Sequence, residues 1–243
     1  MAHSTGAKIA DGTFEPETAA IIRDILESGD TFIDVGANVG YFSMMASELV
    51  SETGKVVAFE PDAENFAALC HNTRHMQQVF PVHKLLSENT NIQTLFLSTH
   101  SSCHSLVETD NFLSGQQSAK LSISFQDFYN QYLAPEPIKL VKIDVEGAEI
   151  MVLNGMKNLL SEKKINALVL EFCPSFLLSA GHTPAQLASL LLDHYTVSIL
   201  EDEFAGHGLT YLTSPQDFEK AALLLQEQGS HIRCNLFCEQ IDR

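Results

Sequence analysis

The sequence predicts a doubly wound α/β fold, in which helices cover both faces of a mostly parallel sheet. Strand-like apolar segments alternate with helix-like segments along the chain, as they do in βαβ units with right-handed crossovers. A turn between Gly36 and Gly40 follows the first strand, and the next strand ends at the carboxylate of Glu60. This order of strand, glycine turn, helix and acid-tipped strand is typical of a nucleoside pocket.

The helices are predicted from apolar residues at helical spacing and from their start signals. Proline opens four of them, at Pro16, Pro61, Pro184 and Pro215. Proline is tolerated there because the N–H groups of the first turn have no hydrogen-bond partner within the helix. The first helix falls in an N-terminal segment over residues 1–30. The predicted helices are Phe14–Ser28, Gly40–Val50, the segment opened by Pro61, Phe125–Tyr132, Ala148–Leu160, Thr183–His194 and Ser214–Gln228.

The strands are predicted from short apolar or alternating runs that are bounded by polar residues and glycine. We find no boundary in composition, so we expect residues 1–243 to form a single domain. The predicted strands are Thr31–Val35, Val56–Glu60, Val79–Leu86, Ile92–Leu97, Ile138–Asp144, Ala167–Phe172, Tyr195–Leu200 and His231–Cys238.

Residues 98–118 form the longest stretch without periodicity, and they are rich in Ser, Thr, Gln, Asn and His. Such a stretch inside a compact domain is a lid, a binding loop or disorder. We expect a lid or acceptor loop, because a cover over a nucleoside pocket would exclude water. Within it, His100, Cys103 and His104 leave a metal site open as an alternative, although no fourth ligand has a recognisable spacing.

Composition limits the classes of partner. The 243 residues are 45% hydrophobic and 19% charged, as in an ordinary globular domain. There is no apolar run of the length that a membrane span needs and no signal-peptide pattern. The five cysteines fit reduced thiols better than a disulfide framework. We therefore expect a cytoplasmic protein, with no membrane partner.

The net charge of −17, with only 14 Lys and Arg residues, disfavours nucleic acid as a partner, since phosphate binding needs clustered cations. A small-molecule substrate is expected instead. The sequence contains no stripe of residues along a predicted helix or strand that would predict an oligomeric state.

The spacing of the glycine turn indicates which nucleoside is bound. A dinucleotide fingerprint needs a central glycine close to the pyrophosphate, and Asn38 stands at that place here. The turn can still hold the zwitterionic head of a smaller ligand, with Asp34 adding a carboxylate, and Glu60 can accept both ribose hydroxyls. This combination fits S-adenosylmethionine. The structural alternative is that Asp34 caps a helix and Gly36 only turns the chain.

Other strand ends supply further candidates, because ligands of such sheets bind beyond the carboxyl ends of the strands. Ser87 and Glu88 are placed to read an adenine edge, or else form an ordinary polar turn. Asp144, Glu146 and Glu171 follow the fourth and fifth strands and are the candidate bases for a hydroxyl acceptor. Asp144 would serve equally to steer the acceptor, and a magnesium ion on Asp144 and Glu171 stays open.

Five blocks of the chain form a recognisable set: Gly12–Pro16, Phe32–Tyr41, Ala58–Asp62, Lys142–Glu149 and Asn235–Phe237. Together they resemble the FkbM family of S-adenosylmethionine-dependent methyltransferases. The resemblance implies a seven-stranded class I methyltransferase fold with a reversed last strand, and O-methylation of a hydroxyl on a sugar or natural product. It also implies that Ser101–Leu106 approaches the active site.

The pattern and the resemblance together define a candidate cofactor site. Two rival functions remain at this point: a nicotinamide- or flavin-dependent oxidoreductase, which the missing central glycine weakens, and a non-catalytic protein that binds an adenosyl ligand. The candidate cofactor-binding residues are Glu15, Asp34, Gly36, Ala37, Asn38, Gly40, Tyr41, Glu60, Pro61, Ser87, Glu88 and Asp144.

Overall fold

The computed structural model describes residues 14–98, 113–200, 209–229 and 232–241. The candidate metal residues His100, Cys103 and His104 and the expected acceptor loop Ser101–Leu106 lie outside the described residues. The prediction that residues 113–118 lack secondary structure is wrong, because they belong to a long strand, Leu113–Ser124. Their role as part of a lid stays a prediction. Residues 115–118 lack apolar periodicity because their side chains are exposed or half-buried where the strand pairs with Ile92–Ser98.

The predicted helices follow their start signals closely, whereas the helix Pro174–Ser179 was not predicted. In chain order they are α1 Pro16–Ile25, α2 Tyr41–Val50, α3 Ala63–Thr73, α4 Phe125–Tyr132, α5 Glu149–Asn154, α6 Lys157–Ser161, α7 Pro174–Ser179, α8 Pro184–Leu191 and α9 Pro215–Gln228.

The strands of the described segments form two sheets. In chain order they are β1 Thr31–Val35, β2 Lys55–Phe59, β3 Val79–Val82, β4 Leu85–Ser87, β5 Ile92–Ser98, β6 Leu113–Ser124, β7 Ile138–Ile143, β8 Ile165–Phe172, β9 Tyr195–Ile199, β10 Tyr211–Leu212 and β11 Cys234–Gln240.

The central sheet has the strand order β10-β9-β11-β8-β7-β1-β2-β3. β1 pairs in parallel with both β2 and β7, whereas β11 runs antiparallel to both β8 and β9. The doubly wound class and the reversed last strand are therefore confirmed. The strand order reverses at β1, so the cleft beyond the ends of β1 and β7 is where such a fold binds its ligand.

Three predicted elements differ from the structure. The described sheet has eight strands rather than seven, because the two-residue β10 adds to its edge. The predicted strand Val79–Leu86 is divided: β3 joins the central sheet, and β4 joins β5 and β6 in a three-stranded sheet. The predicted helix Ala148–Leu160 is also divided, at Gly155, where a Cβ would lie 2.2 Å from the backbone oxygen of Ser87.

Alternation along β1 sends its side chains to opposite faces of the sheet. Phe32 packs with α1 and α2 on one face, and Ile33 and Val35 pack in the larger core on the other. Asp34 shares the face of Phe32, as Lys142 shares the face of Leu140 on the neighbouring β7. The two charged side chains therefore lie side by side beneath the first two helices.

In the described part of the chain, every helix is too short or too polar to traverse a lipid bilayer.

Candidate active site

The corner between β1 and α2 brings the backbone very close to the end of β7. Gly36 has φ 82°, and a Cβ at this position would lie 1.9 Å from the backbone oxygen of Asp144. The N–H groups of Gly36 and Ala37 both donate to the carbonyl of Phe59, at 3.0 and 2.9 Å. Only glycine fits this conformation and this approach, so the corner is rigid and fixed in register with β2 and β7.

Glu60, directly after β2, is held by backbone donors. Its Oε2 accepts from the N–H of Asn38 at 2.8 Å, and its Oε1 accepts from the N–H of Asp62 at 2.8 Å. Asn38 reaches this position with φ 51°, a left-handed conformation that asparagine tolerates. Burial raises the pKa of Glu60 to about 7, although the two backbone hydrogen bonds oppose the shift. The carboxylate is thus orientated at the strand tip, where it can accept ribose hydroxyls.

A cleft of about 580 Å³, including space open to solvent, extends from this corner. One wall is apolar and includes side chains from β4 and β5, and the other carries the polar strand ends. The lining residues are Val35, Gly36, Asn38, Phe59, Glu60, Pro61, Asn65, Lys84, Leu85, Leu86, Leu95, Asp144, Val145, Glu146 and Ala148.

A buried lysine organises the acids beside the cleft. The Nζ of Lys142 lies 2.9 Å from Asp144 Oδ2 and 4.8 Å from the centroid of the Phe42 ring. Burial alone would lower the pKa of Lys142, but the charges of Asp144, Glu15 and Asp34 raise it above its ordinary value. Burial likewise works to raise the pKa of Asp144, and Lys142 reverses this so that the net shift is downward. The Lys142–Asp144 pair is therefore ionised.

Two oxygens of this cluster lack a hydrogen-bond donor among the described residues: Asp34 Oδ1 and Glu15 Oε2 are buried and accept none. The other oxygen of Asp34 accepts from Ser43 Oγ at 2.6 Å. Burial is the main reason that the pKa values of both carboxyls are raised. Buried acceptors without donors are costly, so this cluster is suited to a ligand that brings a positive charge.

The ends of β7, β8 and β11 form a second acidic group, which we call the acceptor rim: Asp144, Glu146, Glu171 and Arg233. The Nη1 of Arg233 lies 2.9 Å from Glu146 Oε1 and 2.6 Å from Glu171 Oε1. Burial, followed by the charges of Glu146 and Asp144, raises the pKa of Glu171 well above its ordinary value, and Arg233 opposes this shift. The rim therefore combines a carboxyl of raised pKa with a cation held against it.

The structure gathers most of the predicted site residues around one cleft. Gly36, Asn38, Glu60, Pro61, Asp144 and Glu146 line it. Three others support its walls: Ala37 is buried in the corner, Gly40 has φ 92° at the start of α2, and the Tyr41 ring packs edge-on against Phe14.

Four further predicted residues are absent from the cleft lining. Glu15 and Asp34 lie beside Lys142, whereas Ser87 and Glu88 lie elsewhere. The Ser87 hydroxyl is buried and accepts a hydrogen bond from Gln93 Nε2 at 2.7 Å, and Glu88 is exposed. Reading of adenine by these side chains remains a prediction that their positions do not favour. Glu171 is also absent from the lining, but it joins the acceptor rim through Arg233.

Sequence reasoning did not single out Arg233, Lys84 or Leu95. Arg233 precedes the last strand and has no motif around it. Leu95 lies on the predicted strand Ile92–Leu97, but it reaches the cleft because this strand belongs to a second sheet, which was not predicted. A signal for Arg233 did exist, since two buried acids at strand ends require a cation.

Comparison with known proteins decides the family. Residues 34–201 match the methyltransferase FkbM domain. The chain belongs to the FkbM methyltransferase family. It is an S-adenosylmethionine-dependent methyltransferase, as the resemblance implied, and not a nicotinamide-dependent oxidoreductase.

This FkbM protein is similar to the hexuronic acid methyltransferase AglP of Haloferax volcanii. The two are 29% identical over 191 residues, which cover 76% of this chain and 70% of the relative.

Three solved structures share the class I methyltransferase fold with this FkbM protein. An rRNA methylase from Streptococcus thermophilus has a TM-score of 0.52 at 10% identity, covering 100% of this chain and 99% of the other. A SAM-dependent O-methyltransferase from Thermotoga maritima has 0.50 at 12%, covering 99% and 72%. A protein from Streptococcus mutans, described as a methyltransferase and solved in complex with SAH, has 0.51 at 11%, covering 99% and 100%. At these identities the likeness concerns the fold.

Proposed function

We propose that this enzyme transfers the methyl group of S-adenosylmethionine to a hydroxyl of a sugar, with uronic-acid sugars as the first class to test. The observation that carries the proposal is the acceptor rim. Three carboxylates, each with an oxygen within 4.8 Å of the others, stand beside the glycine corner, where a hydroxyl proton must be removed.

The corner supplies a complementary group for each part of the cofactor. The Glu60 carboxylate, held by the N–H groups of Asn38 and Asp62, would accept the ribose hydroxyls. The buried oxygens of Asp34 and Glu15 would receive the ammonium of the methionine part. The apolar wall, including Leu86 and Leu95, would cover the adenine ring.

S-adenosylmethionine supplies a methyl group on a positively charged sulfur, and transfer forms a C–O bond while the C–S bond breaks with its electron pair left on sulfur. The protein must place the acceptor oxygen in line, about 3 Å from the methyl carbon. It must also take up the hydroxyl proton. Since the product sulfur is neutral and the proton stays on a side chain, charge is balanced.

Among the three carboxylates, Glu171 suits the role of base best. Its pKa is raised, so its carboxylate binds a proton more strongly than an exposed one does. Asp144 has a lowered pKa through Lys142 and is better suited to accept a hydrogen bond from the acceptor and steer it. Glu146 lines the cleft and holds Arg233.

The acceptor class rests on the relative, and the charge of the chain bears only on nucleic acid. The Haloferax volcanii relative is a hexuronic acid methyltransferase, and sugars suit a site whose walls are rich in hydrogen-bond acceptors. The net charge of −17 argues against RNA, the substrate of the fold neighbour from Streptococcus thermophilus. We further propose one domain and a reducing, cytoplasmic setting, supported by the four described cysteines, which are all free.

The test is a methyl-transfer assay with isotope-labelled S-adenosylmethionine. Acceptors are offered in matched pairs, glucuronic acid with glucose and galacturonic acid with galactose, alongside polyketide alcohols and ribosomal RNA. We expect methylated sugar and, in Glu171→Gln, a loss of at least about 100-fold in turnover. Binding of SAH without transfer to any sugar, or transfer to RNA alone, would contradict the proposal.

Mild alkali distinguishes a methyl ether from a methyl ester in the product. A hydroxyl acceptor gives an ether that survives this treatment, whereas a carboxylate acceptor gives an ester that does not. Because a carboxylate needs no base, an alkali-labile product would remove the catalytic role of Glu171.

A further inference from the structure

Arg233 is the main described cation of the acceptor rim. One nitrogen of its guanidinium, Nη1, contacts an oxygen of Glu146 at 2.9 Å and an oxygen of Glu171 at 2.6 Å. The two acid side chains are only 6% and 7% exposed. The guanidinium also lies over the Phe176 ring, 5.8 Å from its centroid. Arg233 is thereby held in place by Glu171 at the end of β8, by Glu146 in the turn after β7 and by the face of the Phe176 ring.

The same acids have the spacing of a metal site. Asp144, Glu146 and Glu171 each offer an oxygen within 4.8 Å of the others, and clustered carboxylates are the ligands that Mg²⁺ and Mn²⁺ prefer. However, Arg233 bridges two of the three, and Lys142 lies 2.9 Å from the third. Each acid thus already has a cationic partner from the chain itself.

We propose that Arg233 is a positioning residue that takes the place of a divalent ion at the acceptor rim. It neutralises Glu146 and Glu171 and holds the Glu171 carboxylate in one orientation toward the acceptor, so methyl transfer does not depend on an ion bound by these acids. The inference rests on the proposed function for its effect on turnover. Its structural part, occupation of the cation position, stands independently.

The chemistry of the side chain supports this role. A guanidinium keeps its charge at any pH at which the protein is folded and offers several N–H donors in a fixed plane, so one group can bind two carboxylates. Removing it would leave crowded buried acids, which must either take up protons or recruit another cation. A variant without the guanidinium should therefore acquire metal binding.

The first experiment needs no acceptor. Mn²⁺ is titrated into the wild type, Glu171→Gln, Arg233→Ala and Arg233→Lys, and free ion is measured by electron paramagnetic resonance. We expect no Glu171-dependent site in the wild type or in Arg233→Lys, and a site in Arg233→Ala that the double variant Arg233→Ala/Glu171→Gln lacks. Mn²⁺ binding by the wild type that disappears in Glu171→Gln would overturn the proposal. The wild-type arm gives this answer even if Arg233→Ala does not fold.

The second experiment measures turnover with and without EDTA, and with added Mg²⁺. The wild type should be insensitive to both, Arg233→Ala should lose at least about tenfold in kcat and regain part of it with Mg²⁺, and Arg233→Lys should lose less. Wild-type activity abolished by EDTA and restored by Mg²⁺ would overturn the proposal. SAH affinity, which we expect to be unchanged in the Arg233 variants, shows whether the cofactor site is intact. If no acceptor is found, the proposed function fails while the Mn²⁺ titration still decides the role of Arg233.

Discussion

The two sides of the cleft are built in different ways. On the proposed cofactor side, the Glu60 carboxylate is held by backbone N–H groups contributed within 22 residues of it. On the proposed acceptor side, Glu146 and Glu171 are held by the side chain of Arg233, which is 87 and 62 residues away in the chain. The first side depends on the path of the backbone, and the second depends on the pairing of distant charges.

The two sides meet at Asp144 and Lys142. The backbone oxygen of Asp144 closes the glycine corner, while its side chain belongs to the acceptor rim and pairs with Lys142. A change at this junction should therefore affect both sides, whereas a change on either side alone should affect one function.

The largest effect is expected for Lys142→Met at the junction. This change leaves the buried Asp34 near the half-buried Asp144 and Glu15 without the ammonium of Lys142, which should lower the free energy of unfolding by about 3–5 kcal/mol. Urea denaturation near neutral pH measures it. The loss should shrink as the pH falls, because protonation of the acids relieves their repulsion. Lys139→Met, on the same strand but not buried, is the control, and an equal loss in both variants would contradict this account.

Gly36→Ala tests the corner. The added Cβ would lie 1.9 Å from a backbone oxygen, and alanine would have to adopt a φ of 82°. We therefore expect the free energy of unfolding to fall by at least about 2 kcal/mol and SAH binding to weaken. Gly181→Ala has a similar φ of 78° and open space around the site, and it should cost only about 1 kcal/mol. If the two variants are equally stable, the close approach to Asp144 has no energetic importance.

Glu60→Ala tests the cofactor side alone. Loss of the paired acceptors should weaken SAH binding by about 1–3 kcal/mol, measured by isothermal titration calorimetry. Because the pKa of Glu60 is raised to about 7, its ionised fraction falls below that pH, and wild-type affinity should fall with it. Glu60→Gln should lack this part of the pH dependence. An affinity unchanged from the wild type would remove Glu60 from the site.

The smallest effect is expected for Asp62→Ala. The Asp62 carboxylate caps α3 by accepting from the N–H groups of Glu64 and Asn65 at 2.9 and 3.0 Å, which is worth about 1 kcal/mol of stability. Its own N–H, which donates to Glu60, remains in the variant. SAH affinity should therefore change much less than in Glu60→Ala, and a comparable loss would mean that the cap itself positions the ribose acceptor.

The difference between local backbone contacts and distant charge pairs also explains which parts of the site could be predicted from the sequence. The corner follows from local spacing, since Gly36, Asn38 and Glu60 have fixed places relative to two consecutive strands, and the structure places all three in the cleft lining. The divided strand at residues 79–86 was missed because both halves are apolar and only the sheet partner differs. Arg233 was missed because its partners are brought to it by the reversed last strand. Ion pairs between residues that are far apart in the chain leave no periodic pattern in the sequence.

The most direct test of the separation between the two sides is a comparison of SAH affinity in Glu60→Gln and Glu171→Gln by isothermal titration calorimetry. Both replace a buried strand-end carboxylate by its amide. We expect weaker SAH binding in Glu60→Gln and wild-type affinity in Glu171→Gln. Wild-type affinity in Glu60→Gln together with lost binding in Glu171→Gln would contradict this separation.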